Sequence, residues 1–191
     1  MKKTIILIVL AFITAMGGWA QETLTKSWRT LKGYKAFYEV EYGFDVDEKE
    51  FNNDGSRIAG YPKCTNIMVS TSQGYQFNNI VYFGGGVGLL RYLDGKQTLM
   101  PLFADVRVNL MNNTKVLPFL NARLGGVVGA WGGFYNSIWA GARFKTSQRH
   151  AVALSVGLTG HFDGGHSYRA NSFEEIPWQA ISLGAKLGYE F

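Results

Sequence analysis

Apolar residues alternate with polar or small ones along most of this chain, in stretches of about a dozen residues bounded by turn residues. In ISLGAKLGYEF, at 181–191, Ile181, Leu183, Ala185, Leu187, Tyr189 and Phe191 fall on one side of an extended strand. Ser182, Gly184, Lys186, Gly188 and Glu190 fall on the other. Eight such segments are predicted, at 33–44, 65–78, 80–93, 99–111, 116–128, 134–146, 151–162 and 178–191. No helical period competes with them.

The connections differ in a regular way. The second, fourth and sixth are tight: Asn78 with Asn79, then 112–115, then 147–150. The first (45–64) and seventh (163–177) are long, and the short third and fifth fall on the same side as the long ones. An up-and-down antiparallel meander follows, with tight turns at one end and longer loops at the other. The expected fold class is all-β, an eight-stranded antiparallel barrel.

Two eight-stranded barrels fit this pattern, and they are inside out relative to each other. A secreted lipocalin-like barrel encloses a ligand with its apolar face, whereas a transmembrane barrel turns that face to lipid. The less apolar face decides between them. A face wet along its length should be dense in Lys, Glu, Asn and Thr, yet 151–159 sets Ala153, Ser155, Gly157 and Thr159 against Val152, Leu154, Val156 and Leu158. In 81–89, Tyr82, Gly84, Gly86 and Gly88 stand opposite Val81, Phe83, Val87 and Leu89. Small residues suit a crowded interior whose large partners share their face: Phe37, Tyr82, Phe103, Phe119, Tyr135 and Trp139.

Charges within the strands are few and keep largely to this interior face, among them Glu39, Glu41, Asp105, Arg107, Arg123, Arg143, Lys186 and Glu190. Both signs occur together, as buried charges require if each is to find a partner. Pairing is expected between Glu39 or Glu41 and Lys186, with Arg107, Arg123 and Arg143 completing a network around Asp105. Arg91 has apolar-face parity but lies near a strand end, where it can reach headgroups. The apolar face ends in aromatics: Tyr34, Phe77, Phe144, Tyr189 and Phe191 toward the tight turns, and Tyr42, Phe44, Phe134, Phe162 and Trp178 toward the loops. Rings at both levels form the girdles of a membrane barrel.

The amino terminus supplies an address. Lys2 and Lys3 precede an apolar run from Ile5 to Met16, and Gly18 and Ala20 flank an expected cut before Gln21. The run is too short for the roughly 20 residues of a spanning helix. Residues 1–20 are therefore expected to be a signal peptide, 21–32 a short periplasmic segment and 33–191 the barrel. Losing Lys2 and Lys3 lowers the formal charge from +5 to +3, too little to argue for nucleic acid. Cys64 is the only cysteine, so no internal disulfide can form.

The segments STSQGYQFNNIVYFGGGVGLL (70–90), MPLFADVRVNL (100–110) and PFLNARLGG (118–126), with the terminal phenylalanine, resemble the small OmpA/OmpX-type outer-membrane barrels, especially their glycine-rich relatives in Bacteroidetes. The resemblance spans 33–191. It implies an outer membrane of the Gram-negative type, outer-membrane lipid as the surrounding partner, a monomer, and insertion by the barrel-assembly machinery. Tyr189 and Phe191 match the terminal assembly signal of that family; the glycine of the pattern falls at Gly184 and Gly188, and Lys186 occupies its place.

Members of such a family include structural proteins, adhesins and a few lipid-modifying enzymes. His166 and Ser167 are adjacent, so on an extended chain they point apart, and the His-x-Ser spacing of the deacylase branch is missing. Glu50, Asn52 and Asp54 with Gly55 look like a calcium loop until the twelfth position, which is Tyr61 and not a bidentate glutamate. The GGGVG run at 84–88 lacks the third glycine and the following helix of a phosphate cradle. No catalytic, cofactor or metal site is therefore assigned. The expectation is a barrel with a side-chain-filled lumen that is structural, or meets an unidentified extracellular ligand through 45–64 and 163–177, or both; the alternative is a narrow channel or an outer-membrane lipid-modifying enzyme. Intact mass of the membrane-fraction protein should correspond to a chain starting at or within a few residues of Gln21; a retained Met1 would defeat the signal-peptide assignment.

Overall fold

A computed structural model describes residues 32–50, 65–93, 96–111, 115–128, 132–147, 150–163 and 178–191, and at 45–50, 163, 178 and 179 it describes the backbone alone. The expected signal peptide, residues 21–31, the segments 51–64 and 164–177, and with them Cys64, His166 and Ser167, lie outside the described residues. The strands are β1 (Gly33–Glu50), β2 (Asn66–Gln76), β3 (Val81–Tyr92), β4 (Thr98–Asn109), β5 (Val116–Val128), β6 (Gly133–Lys145), β7 (Ala151–Asp163) and β8 (Trp178–Glu190). They form one closed antiparallel barrel in chain order.

Closure joins β1 to β8, from Phe37 opposite Glu190 to Glu50 opposite Trp178. At its tight-turn end the seam is pinned by the last residue: Ala36 N donates to Phe191 O at 2.9 Å and Phe191 N to Ala36 O at 3.1 Å. No strand edge is left over, which hydrocarbon requires because it cannot satisfy a free backbone group.

The first strand runs to Glu50, past the expected end at Phe44. DVDEKE has the composition of a loop, but ladder bonds are made by the backbone whatever the side chain, and Asp47 to Glu50 pair with Ile181 to Trp178 beyond an irregularity between Asp45 and Asp47. The first connection therefore begins after Glu50, not at Asp45. The β3–β4 register is the same on both sides of Pro101, with Val87 opposite Leu102 and Leu90 opposite Leu99; Pro101 itself has no N–H to give to a ladder.

The outer wall is apolar. Val40, Val69, Leu89, Leu102, Leu124, Ile138, Leu154 and Leu187 are exposed on it, and the rings of Tyr34, Phe77, Tyr189, Phe44 and Phe134 stand toward its two ends. Polar groups there meet each other: Tyr34 Oη donates to Gln73 Oε1 at 2.6 Å, and Arg91 donates to Thr98 Oγ1 at 2.7 Å near the loop end. The inner wall is polar or small, and all six large rings expected on it are buried. This is the inverted, transmembrane arrangement and not the lipocalin one.

Large side chains fill the bore by lying over positions that have no Cβ. A Cβ on Gly86 would stand 2.5 Å from the Phe103 ring and 2.6 Å from Thr71 O, and one on Gly157 would be 2.8 Å from Trp139. Gly85, the outward neighbour of Gly86, would meet nothing nearer than 3.7 Å. Gly86→Ala should therefore destabilise the barrel by about 1–3 kcal/mol through overpacking, while Gly85→Ala should be near neutral, as read from urea unfolding in lipid vesicles followed by heat-modifiable gel mobility. Equal stabilities would mean that the bore is looser than this packing.

Candidate functional site

The interior divides into three tiers along the barrel axis. The central one holds Glu39 and Glu41 on β1, Asp105 and Arg107 on β4, Arg123 on β5 and Lys186 on β8, all buried. Alternation sends each inward, and register makes two neighbouring pairs, Glu41 opposite Lys186 and Asp105 opposite Arg123. In a ring of eight strands β1 and β5 face each other across the bore, so contacts between them cross it.

Arg123 makes those contacts. Its Nη1 donates to Glu41 Oε1 at 2.8 Å, its Nη2 donates to Glu39 Oε2, and its Nε lies 3.6 Å from Asp105 Oδ2. The residue is 0% exposed. Arg107 forms a second strut: Nη1 and Nη2 donate to the two Glu39 oxygens at 3.2 and 3.0 Å, and Nη2 also donates to Asp105 Oδ2 at 2.7 Å. Neutral groups complete the valences. Ser72 Oγ donates to Asp105 Oδ2 at 2.7 Å, Asn121 Nδ2 donates to Asp105 Oδ1 at 2.6 Å, and Lys186 Nζ donates to Asn121 Oδ1 at 2.7 Å.

Aromatic faces support the cations. Arg107 lies over Phe37 at 3.6 Å, Arg123 over Phe103 at 4.5 Å and Lys186 Nζ over Trp139 at 4.6 Å from the ring centres. Three cations thus meet three carboxylates with rings beneath them.

Toward the tight turns lies a second tier. Glu190 accepts from Arg143 Nη2 and stands 2.8 Å from Lys35 Nζ, and Lys145 is buried on the same wall. Shared parity joins Arg143 to the group around Asp105, whereas the structure places it with Glu190. Ser137, level with Arg123, is six residues from Arg143 along β6, about 20 Å at the strand rise. Parity therefore shows which residues point inward, but not at what height. Lys35 and Lys145 are not among the charges expected in the network, although they share parity with Phe37 and Arg143 and are buried with them.

Toward the loops the filling turns apolar. Met68, Leu90, Tyr92, Leu99, Phe103, Val127, Tyr135 and Ala180 form one cluster. Tyr92 on β3 and His161 on β7 face each other across the ring, their rings stacked at 6.4 Å and Tyr92 Oη 3.4 Å from His161 Nδ1. Asn66 Nδ2 donates to Ser182 Oγ at 2.9 Å beside this cluster. The bore is thus obstructed by two chemistries in series, ion pairs and a hydrophobic plug.

Tyr189 and Phe191 lie outside, at the tight-turn end. Phe191 stacks on Tyr38 at 5.3 Å, and Tyr189 stacks on His150 at 5.8 Å with its hydroxyl 3.1 Å from His150 Nδ1.

No family model matches the chain, and no curated protein does. Solved structures of similar architecture exist. Neisserial surface protein A is 14% identical over 81% of this chain and 96% of its own, with a TM-score of 0.48. The outer membrane protein OprG of Pseudomonas aeruginosa is 12% identical over 83% and 96%, with a TM-score of 0.47. The N-terminal barrel domain of Pseudomonas aeruginosa OprF is 16% identical over 81% and 97%, with a TM-score of 0.41.

Removing Arg123 would leave three carboxylates facing two cations in a closed space. Arg123→Met should cost about 3–5 kcal/mol in urea unfolding of the vesicle-inserted barrel. The double change Arg123→Met with Glu41→Gln should recover much of that loss by restoring the balance. A single variant as stable as the parent would place Arg123 in water.

Proposed function

We propose that this protein is an integral outer-membrane barrel that carries nothing through its bore and acts through the surface it displays outside the cell, as a structural protein, as a binder, or as both. The observation that carries this reading is the Arg123 guanidinium bonded to Glu39 and Glu41 across the barrel, from β5 to β1. A solute moving along the axis would have to part ion pairs that have no water to replace them. The cost of leaving such charges unpaired is several kcal/mol.

The apolar outer wall supports residence in a bilayer, and the aromatic rings at its two levels support a defined depth. By the geometry common to such barrels, the tight turns lie in the periplasm and the longer connections outside. The strands that lead into the connections after β1 and β7 end on the same side of the barrel, and connections carried by such a scaffold are where binding residues concentrate. The first contains Asp54, Arg57 and Lys63, the second His166, Tyr168, Arg169, Glu174 and Glu175. The lumen groups are engaged with one another, so no catalytic role is assigned to them, and the assembly signal remains with Tyr189 and Phe191.

Refolded protein in a planar lipid bilayer should give no resolved conductance steps, and deleting 52–62, which leaves β1 intact through Glu50, should preserve heat-modifiable mobility while weakening whatever surface partner is crosslinked on whole cells. Stepwise conductance in the parent, enlarged by Arg123→Ala, would replace this reading with a channel. Loss of membrane assembly on the deletion would make that connection part of the scaffold.

A further inference from the structure

Among the described strand side chains, every charged group but one points into the bore. The exception is Arg91 on β3, exposed on the outer wall, where alternation sets the exposed Leu89 and Leu93 on either side of it along the chain. Its ladder row runs from Tyr42 through Ile67 to Arg91 and on to Thr98. Tyr42 belongs to the loop-side ring of aromatics, and β3 ends at Tyr92, one residue beyond Arg91. Arg91 therefore lies at the loop-end rim of the apolar band, where hydrocarbon gives way to headgroups.

The cations of the bore are supplied with acids by the protein itself: Arg107, Arg123 and Lys186 meet Glu39, and Arg143 meets Glu190. Arg91 meets none among the described residues. Its Nη1 donates to Thr98 Oγ1 at 2.7 Å, a neutral acceptor that steadies the guanidinium against the sheet and leaves its charge uncompensated. Lys96, on the turn that joins β3 to β4, is exposed as well and has no acid partner among the described residues. Around the two cations the wall is apolar, with Ile67, Leu89, Leu93 and Met100 all exposed. This patch thus joins positive charge at the rim to an apolar surface next to it.

From the outward direction of Arg91, its place at the rim and the absence of a protein counter-charge, we infer that Arg91 and Lys96 form a docking site for the phosphate of an anionic lipid of the outer leaflet, whose chains lie along Ile67, Leu89 and Met100. A guanidinium fork matches two phosphate oxygens, and a lysine adds a point charge on a long stem that can reach the same group from the turn. Water would solvate these cations but would not offset their charge. A zwitterionic lipid carries its own cation beside its phosphate, so the site favours a lipid with net negative charge. The inference rests on the bilayer residence proposed above and is independent of what the loops bind.

The test places the full mature barrel in nanodiscs of equal parts phosphatidylglycerol and phosphatidylcholine and weighs, by native mass spectrometry, the lipids that stay on the barrel when it is released. The parent should retain phosphatidylglycerol in preference. Arg91→Gln and Lys96→Gln should each lower that preference about fivefold, the worth of one cation near a charged membrane surface. Heat-modifiable mobility reports insertion of each variant separately, so that failure of the bilayer reading is distinguished from failure of the site; should Arg91→Gln not insert, Lys96→Gln, which lies on the turn and not in a strand, carries the test. Equal retention by the parent and the inserted variants would overturn the inference. A preference that appears only on Asp94→Asn would overturn it too, by showing that this acid of the same turn, which lies outside the described residues, is what Arg91 meets.

Discussion

Hydrocarbon offers a protein neither hydrogen bonds nor counter-ions, and the two central features of this molecule answer those two deficits. The deficit of hydrogen bonds closes the sheet, so that Phe191 pairs with Ala36 and β1 with β8. The deficit of counter-ions sends the charged groups of the strands, Arg91 apart, to the inner wall and then obliges them to find their partners there. Arg123 is where these demands meet: it sits on β5, is fully enclosed, and holds carboxylates of the strand directly opposite.

An ion pair that crosses the bore also limits what else the bore can contain. The rings of Phe37, Phe103 and Trp139 lie against the three central cations, and they fit because glycines face them: Gly86 beneath Phe103, Gly157 beside Trp139. The glycine-rich face is thus a consequence of filling and not of flexibility. Above the charges lies the apolar cluster around Tyr135 and Leu90, which strengthens the ion pairs below it by keeping their surroundings poorly polarisable.

Much of this was legible in alternation. The bounds of β5 agree with the segment read from sequence, and β2 to β4 and β6 to β8 differ from theirs by a residue or two at an end. Inward residues such as Tyr82 and Trp139 followed from parity alone. The extension of β1 through DVDEKE did not, because a strand that projects past the apolar band loses the hydrophobic partner that marks alternation, while its backbone ladder continues. Which charges meet was equally hidden. Height within the barrel depends on the stagger of strands, and stagger put Arg143 beside Glu190 and Arg123 beside Glu41, although both arginines have the same parity. Lys35 and Lys145 carried their signal openly, but a lysine next to a turn reads as a solvated strand end until its neighbours across the ring are known.

The central claim is that the lumen at Arg123 is dry and paired, and side-chain hydrogen exchange tests it without perturbing the protein. In a nitrogen-15 arginine-labelled barrel held in lipid nanodiscs, the Arg123 guanidinium protons should give resolved, separate resonances that exchange with water far more slowly than those of an exposed arginine. A single averaged signal exchanging as fast as free arginine would mean that water reaches the strut and that the bore is open where this account closes it.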